Sequence, residues 1–291
     1  MGGRALGFQR CGVVFGEGRV ADEDDVLAKP VGARGGEFCA DQKAGEARFG
    51  VAGVSVVQQL VGARQGWVEA PYGTVPCKPH GQPFARPDTR DPRIDVRVIP
   101  GLKQTDNPDV MRGEETQIAG LLKAKPNFDG VACLPGTHTK WVHISAGEVV
   151  SFRTFMTGEL FGLIAKNSVL RHSIGSGWHD ETFTKAVTDT LSRPEAMAAN
   201  LFSIRADQLL NATDPGTAKA RLSGLLIGAE LAAARPYWLG QNIVLIGDET
   251  LSKHYATALK TQGAPAHIAD ATQTTLAGLA SARALTQEPA E

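Results

Sequence analysis

No Cys-x-x-Cys pair, Walker A sequence or Gly-x-Gly-x-x-Gly run occurs in the 291 residues of the chain. The last two absences exclude a P-loop and a Rossmann dinucleotide fingerprint. The four cysteines, Cys11, Cys39, Cys77 and Cys133, read as reduced thiols, because a chain this long can build a core without a disulfide framework. No apolar run reaches the ~20 residues of a spanning helix. The first residues also lack the basic-then-apolar pattern of a secretion signal, so the chain reads as cytoplasmic and not membrane-bound. Charge of one sign is missing as well: 30 Lys and Arg stand against 31 Asp and Glu, a net charge of -1. No broad basic field is offered to nucleic acid or to an anionic membrane. Ser173, Ser176, His179 and Asp180 lie close together, but the Gly-x-Ser-x-Gly elbow of a hydrolase is absent. Cys133, His138 and His143 do not have zinc-motif spacing, and no metal site is read from them.

What is present is an ordinary globular composition, 42% hydrophobic and 21% charged, with length enough for two lobes. Residues 1–58 stand apart: they hold twelve glycines and an acidic knot at Ala21-Asp-Glu-Asp-Asp25, with no sustained period. From about residue 59 the pattern alternates strand and helix, which predicts an α/β fold. Strands are expected over Ile94–Ile99, Gly130–Leu134 and Ile243–Ile246, and a hairpin over Trp141–Ser145 and Glu148–Phe152. Helices are expected over Glu114 to about Lys123, Thr157–Leu170, Ala220–Arg235 and Thr250–Thr261. In the second of these, Leu160, Leu163, Ile164 and Val169 are expected to share the buried face. Gly224 and Gly228 in the third suggest close packing against a neighbour.

Four segments could carry chemistry. In Leu134-Pro-Gly-Thr-His-Thr-Lys-Trp141, a Gly136-Thr137 turn leaving a strand exposes backbone N–H groups that can cradle phosphate oxygens. Lys140 could add a point charge against a nucleotide. The same residues also suit a plain turn anchored by Trp141. In Met111-Arg-Gly-Glu-Glu-Thr-Gln117, the two carboxylates at a helix start suit the helix dipole. One of them could instead serve as a general base, with Arg112 binding a carboxylate through its planar fork. In Val61-Gly-Ala-Arg-Gln-Gly-Trp67, Arg64, Gln65 and Trp67 combine ion pairing, amide hydrogen bonding and a stacking face suited to a sugar acid, though a surface turn reads equally well. The strand-to-helix turn at Gly247 offers a helix entrance that a nucleotide could approach.

Taken together, and in order along the chain, these segments resemble the 2-dehydro-3-deoxygalactonokinase family. So do Ile99-Pro-Gly101, Phe152-Arg-Thr-Phe-Met-Thr-Gly-Glu-Leu160 and Leu222-Ser-Gly-Leu-Leu-Ile-Gly-Ala-Glu230. The resemblance implies a two-lobed actin/hexokinase-like ATPase fold with ribonuclease-H-like sheets. The remainder of the first lobe would occupy 59–127, and the second lobe, with the nucleotide-binding elements, 128–291. It also implies transfer of the γ-phosphoryl group from ATP, as its Mg2+ complex, to the terminal hydroxyl of 2-dehydro-3-deoxy-D-galactonate in galactonate breakdown. The implied partner is a small-molecule sugar acid, and homo-oligomerisation is left open. By this resemblance Glu114 falls where related sugar kinases place an acidic catalytic base. Gly136, Thr137, His138, Lys140 and Gly247 fall with the nucleotide, and Arg64, Gln65, Trp67 and Arg112 with the substrate. One departure stands out, because the family opens on a strand ending in an Asp-x-Gly-Thr loop and this chain does not. The abrupt onset of family character near Val61 suggests a shifted reading frame or a misplaced gene start upstream. It keeps two alternatives alive: a kinase of another sugar acid, and a non-catalytic or inactive sugar-acid-binding protein.

Overall fold

The computed structural model describes residues 14–15, 70–88 and 95–287. Its centre is a five-stranded sheet. Strands β6 (Gly130–Leu134), β7 (Thr139–Ser145) and β8 (Glu148–Phe155) run as an antiparallel meander. On the other side of β6, β9 (Ile243–Gly247) pairs parallel, and β10 (Ala266–Asp270) pairs parallel to β9. The order β10-β9-β6-β7-β8 is that of a ribonuclease-H-like sheet, three antiparallel strands continued by two parallel ones. A three-stranded sheet of β2 (Gly73–Thr74), β4 (Leu102–Gln104) and β5 (Asp109–Met111) lies beside it. A short pair joins β1 (Val14–Phe15) to β3 (Arg97–Val98).

Eight helices are described: α1 (Glu114–Ala124), α2 (Thr157–Asn167), α3 (Asp180–Ser192), α4 (Met197–Asn211), α5 (Pro215–Ala233), α6 (Arg235–Trp238), α7 (Glu249–Thr261) and α8 (Ala271–Gln287). None of the described helices is long and apolar enough to cross a membrane.

The period of two along a strand explains how one sheet serves two cores. From β6, Val131 and Cys133 enter a cluster with Phe183, Ile227, Trp238 and Tyr255. Ala132 and Leu134 enter the opposite cluster, with Ile118 and Leu121 of α1 and Leu102 and Met111 of the small sheet. A strand covered on both faces reads as an unbroken apolar run, which is what Gly130–Leu134 is. The β7–β8 hairpin closes on Ala146 and Gly147, both with positive φ (52° and 76°), the geometry that matches the strands' twist.

The helix expected at Ala220 begins five residues earlier, since Asp214 caps it by accepting from the Gly216 and Thr217 N–H groups and Pro215 occupies its first position. Its Gly224 and Gly228 do permit close packing: an added Cβ would lie 2.6 Å from the Phe183 carbonyl oxygen or 2.7 Å from that of Val187, both on α3. The expected Ile94–Ile99 strand is reduced to Arg97–Val98 among the described residues, and Ile94 lies outside them.

The buried face expected for α2 is a correction. Leu160, Leu163 and Val169 are exposed, while Phe161, Ile164 and Ala165 pack on α5 and its neighbours. The start of α2 is fixed by its contact with the β6–β7 turn, and that contact sets the helix's rotation against the leucine pattern. The helix also ends at Asn167, where Ser168 caps a separate 3-10 turn.

Candidate active site

The turn between β6 and β7 is wedged between two other backbone segments. A Cβ on Gly158, at the start of α2, would sit 2.2 Å from the Gly136 carbonyl oxygen, and the Glu159 N–H donates to the Thr137 carbonyl at 2.9 Å. A Cβ on Gly247, at the end of β9, would sit 2.7 Å from the Pro135 carbonyl oxygen. Gly247 is therefore held by packing against this turn. Gly136 differs, because an added Cβ there would find nothing nearer than the His138 carbonyl oxygen at 4.0 Å. The space over Gly136 is open, as a backbone cradle for an anion requires. His138 bridges to α2, its Nε2 lying 2.6 Å from Glu159 Oε2.

The N-terminus of α1 faces the same turn. Lys140 is buried at the start of β7, and its Nζ lies 3.9 Å from Glu114 Oε1. The other oxygen, Oε2, accepts from the Arg112 N–H at 3.0 Å. Burial raises the Glu114 carboxyl above its ordinary range, against the opposing pull of Lys140, two backbone N–H bonds and, more weakly, His138. The Arg112 guanidinium lies over the Tyr72 ring at 4.7 Å and donates to the Ala70 carbonyl at 3.4 Å. These two contacts restrain the orientation of its planar fork.

The adjacent Glu115 has a different environment. It is 1% exposed, accepts from the Gly113 N–H at 2.7 Å and from the Thr116 hydroxyl at 3.2 Å, and does not reach the turn. Burial first, and then the charge of Glu114, push its carboxyl up to about 8. Of the two carboxylates, Glu114 is the one that faces Lys140 beside the turn, where a base for this site would have to stand.

The same shift predicts a pH dependence of stability. Folding raises the Glu115 pKa from 4.5 to about 8, so the folded state binds the extra proton. That contribution is complete below pH 4.5 and is lost as pH rises through about 8. Glu115→Gln, which keeps the neutral shape, should flatten the fall of Tm between pH 5 and 8.5, a window set by that shift. A thermal melt series would show it, and an unchanged slope would mean that Glu115 is ionised in the fold.

Of the residues picked out from sequence, Arg112, Glu114, Gly136, Thr137, His138, Lys140 and Gly247 converge here. Arg64, Gln65 and Trp67 lie outside the described residues. His179 caps α3 by accepting from the Thr182 N–H, and Asp180 accepts from Trp178 Nε1, so neither forms a hydrolase relay with Ser173, which is buried without a partner. Among the described residues, no group of three or more His, Cys, Asp or Glu side chains could hold a metal ion. The chain's one Asp-x-Gly-Thr string, Asp214-Pro-Gly-Thr217, is the cap of α5: its carboxylate accepts from the Gly216 and Thr217 N–H groups and from the Thr217 hydroxyl. It is not a loop at a strand end.

Sequence reasoning missed two residues. Glu159 stands in the first turn of α2, a place that suits any carboxylate, yet it partners His138. Glu230 is 3% exposed on α5 and accepts from Trp141 Nε1 and the Tyr255 hydroxyl, both at 2.7 Å. A carboxylate amid Leu225, Leu226, Ile227 and Leu231 was the available signal.

Comparison with known proteins gives a consistent answer. The profile of the family described as 2-keto-3-deoxy-galactonokinase matches residues 39–282. That match begins inside the 1–58 segment set apart by its composition. A Rhizobium meliloti protein named "Probable 2-dehydro-3-deoxygalactonokinase DgoK1" is 42% identical over 241 residues, 79% of this chain and 78% of the relative. The 2-dehydro-3-deoxygalactonokinase of Escherichia coli is 35% identical over 216 residues, 72% of this chain and 70% of the relative. A crystal structure of a Sinorhizobium meliloti protein assigned as a 2-dehydro-3-deoxygalactonokinase is 40% identical and superposes with a TM-score of 0.71, covering 78% of both chains.

Proposed function

This chain belongs to the 2-keto-3-deoxy-galactonokinase family, and from that premise we propose that it transfers the γ-phosphoryl group of ATP to the terminal hydroxyl of 2-dehydro-3-deoxy-D-galactonate. The observation that carries the reading is the meeting of the open Gly136-Thr137 turn with the Glu114–Lys140 pair. Phosphoryl transfer asks a protein mainly for positioning and charge stabilisation. The turn's open backbone face suits the phosphates, and Lys140 supplies a positive charge behind them. Glu114, desolvated but held ionisable by Lys140, suits acceptance of the hydroxyl proton. Arg112, held by Tyr72 and Ala70, suits the acid's carboxylate.

Mg2+ in such sites is bound largely by phosphate oxygens and water, with one or two protein carboxylates. Two carboxylates lie by the turn, Glu114 beside Lys140 and Glu159 bonded to His138, and an ion arriving on the nucleotide would neutralise charge on the transferring group.

Arg112→Lys should raise KM for the sugar acid roughly tenfold to a hundredfold with kcat little changed, because a bidentate contact present before and during transfer contributes uniform binding. Initial-rate kinetics over a range of acid concentrations would check this. A fall in kcat at unchanged KM would move Arg112 from substrate binding to the transferring phosphoryl group.

A second reading, a sugar-acid-binding protein without turnover, is favoured by one observation: the only Asp-x-Gly-Thr string is used as a helix cap. Acid binding without ADP formation would establish it. A panel of aldonic and 3-deoxy acids assayed with ATP separates the proposed substrate from other sugar acids.

A further inference from the structure

Glu230 is a poor choice for stability alone. A carboxyl in a core must be desolvated, and well-packed apolar residues at such positions are often as stable or more so. Its bonds, however, all lead toward one place. Oε1 accepts from the Trp141 indole on β7, and Oε2 accepts from the Tyr255 hydroxyl on α7. Tyr255 lies 3.0 Å from the Thr139 hydroxyl, which donates to it because the phenol proton is already given to Glu230. The Thr157 and Thr139 hydroxyls also favour the charged carboxyl, and with the Trp141 and Tyr255 donors they oppose the burial that raises the group to about 7. Thr139 is the first residue of β7 and Thr157 the first residue of α2. These are the two backbone segments that leave and cover the Gly136-Thr137 turn, and α7 leads away from Gly247, which packs on Pro135. One buried carboxylate thus ties together three of the segments that frame the turn.

We propose that Glu230 is a positioning residue for the Gly136-Thr137 turn, acting through Tyr255, Thr139 and Thr157 without touching the nucleotide. The proposal rests on the reading of that turn as the phosphate cradle. Preorganised donors contribute most when their supporting contacts are fixed before the ligand arrives. Glu230 fixes them from beneath.

The test uses the full chain and three variants, Glu230→Leu, Tyr255→Phe and Glu230→Gln. Amide hydrogen exchange is followed without nucleotide over residues 135–139 and 157–160, and Mg-ATP affinity is titrated separately. Tyr255→Phe and Glu230→Leu should speed exchange in those two segments about tenfold, as loss of a charge-assisted hydrogen bond implies, with α3 and β9 unchanged. Both should weaken Mg-ATP by a similar factor and leave sugar-acid affinity unaltered. Glu230→Gln should stay near the parent, because its oxygen can accept from Trp141 while its amide donates to a Tyr255 hydroxyl turned toward Thr139. If Glu230→Leu fails to fold, Tyr255→Phe, which removes a single hydroxyl, decides the matter. Unchanged exchange in the two segments, or a rise spread evenly through the sheet, overturns the proposal. A parent chain that does not bind Mg-ATP defeats the functional reading instead, and the exchange arm still decides whether Glu230 holds the turn.

Discussion

Glu114→Gln should turn over roughly 10²–10⁴-fold more slowly than the parent, the usual share of a general base. The substitution keeps the acceptor for the Arg112 N–H, because the amide oxygen can occupy the Oε2 position. It removes the charge facing Lys140 at 3.9 Å, so part of any defect could come from a buried ammonium left unpaired. Two readouts separate the causes. A base lost from the transition state lowers kcat, whereas a displaced Lys140 raises KM for ATP. The pH–rate profile should also lose its acidic limb in the variant. In the parent, burial raises the Glu114 carboxyl, and activity should fall as pH drops through that raised value. Glu115→Gln should turn over normally, since Glu115 is sealed in the core and bonded to Gly113. If Glu114→Gln is fully active, the pair is only a favourable helix start.

Gly136→Val should abolish measurable Mg-ATP binding, a loss of about 100-fold or more, while the chain stays folded. The separation of binding from folding follows from the geometry. Gly136 has no positive φ, and an added Cβ would meet nothing nearer than the His138 carbonyl oxygen at 4.0 Å. A side chain there would therefore grow into the open space over the turn, which the phosphates are proposed to occupy, from a Cβ that meets no tight contact. Gly247→Val gives the contrasting result. Its Cβ would press on the Pro135 carbonyl at 2.7 Å and on Ser252 Oγ at 3.4 Å, so a drop in Tm should accompany any loss of nucleotide affinity. Nucleotide titration with a parallel thermal melt distinguishes the two. An ATP titration unchanged by Gly136→Val removes the turn from the nucleotide site.

Sequence was informative wherever local signals and tertiary demands agreed. The five residues Gly130–Leu134 were readable as a strand because both faces are buried, and the Ala146-Gly147 turn announced its hairpin. The α1 start was readable from Glu114-Glu115 before an apolar stripe. Which carboxylate faces the turn was not, because helix spacing places neighbours about 100° apart but does not say which side Lys140 lies on. For α2, the leucine pattern misled: the backbone contact of Gly158 with Gly136 fixes the helix, and Leu160 and Leu163 are left outward. Glu230 was hidden for a similar reason. Its partners Trp141 and Tyr255 are 89 and 25 residues away, and a lone charge in an apolar helix does not name its partners. Helices α3, α4 and α8 and strands β4, β5 and β10 were among the elements not anticipated. The buried residues of α3 include Ala186 and Thr190 beside Phe183 and Val187, and small or polar residues on a buried face leave little hydrophobic period to detect.

The central claim is phosphoryl transfer to a specific acceptor, and ³¹P NMR of the full chain with Mg-ATP and 2-dehydro-3-deoxy-D-galactonate tests it most directly. The account predicts ADP and one new phosphate monoester in equal amounts, the monoester resonance being split by two protons of the terminal carbon and growing roughly 10²–10⁴-fold more slowly in Glu114→Gln. ADP release that does not depend on the acid, or acid binding with no new monoester, would contradict it.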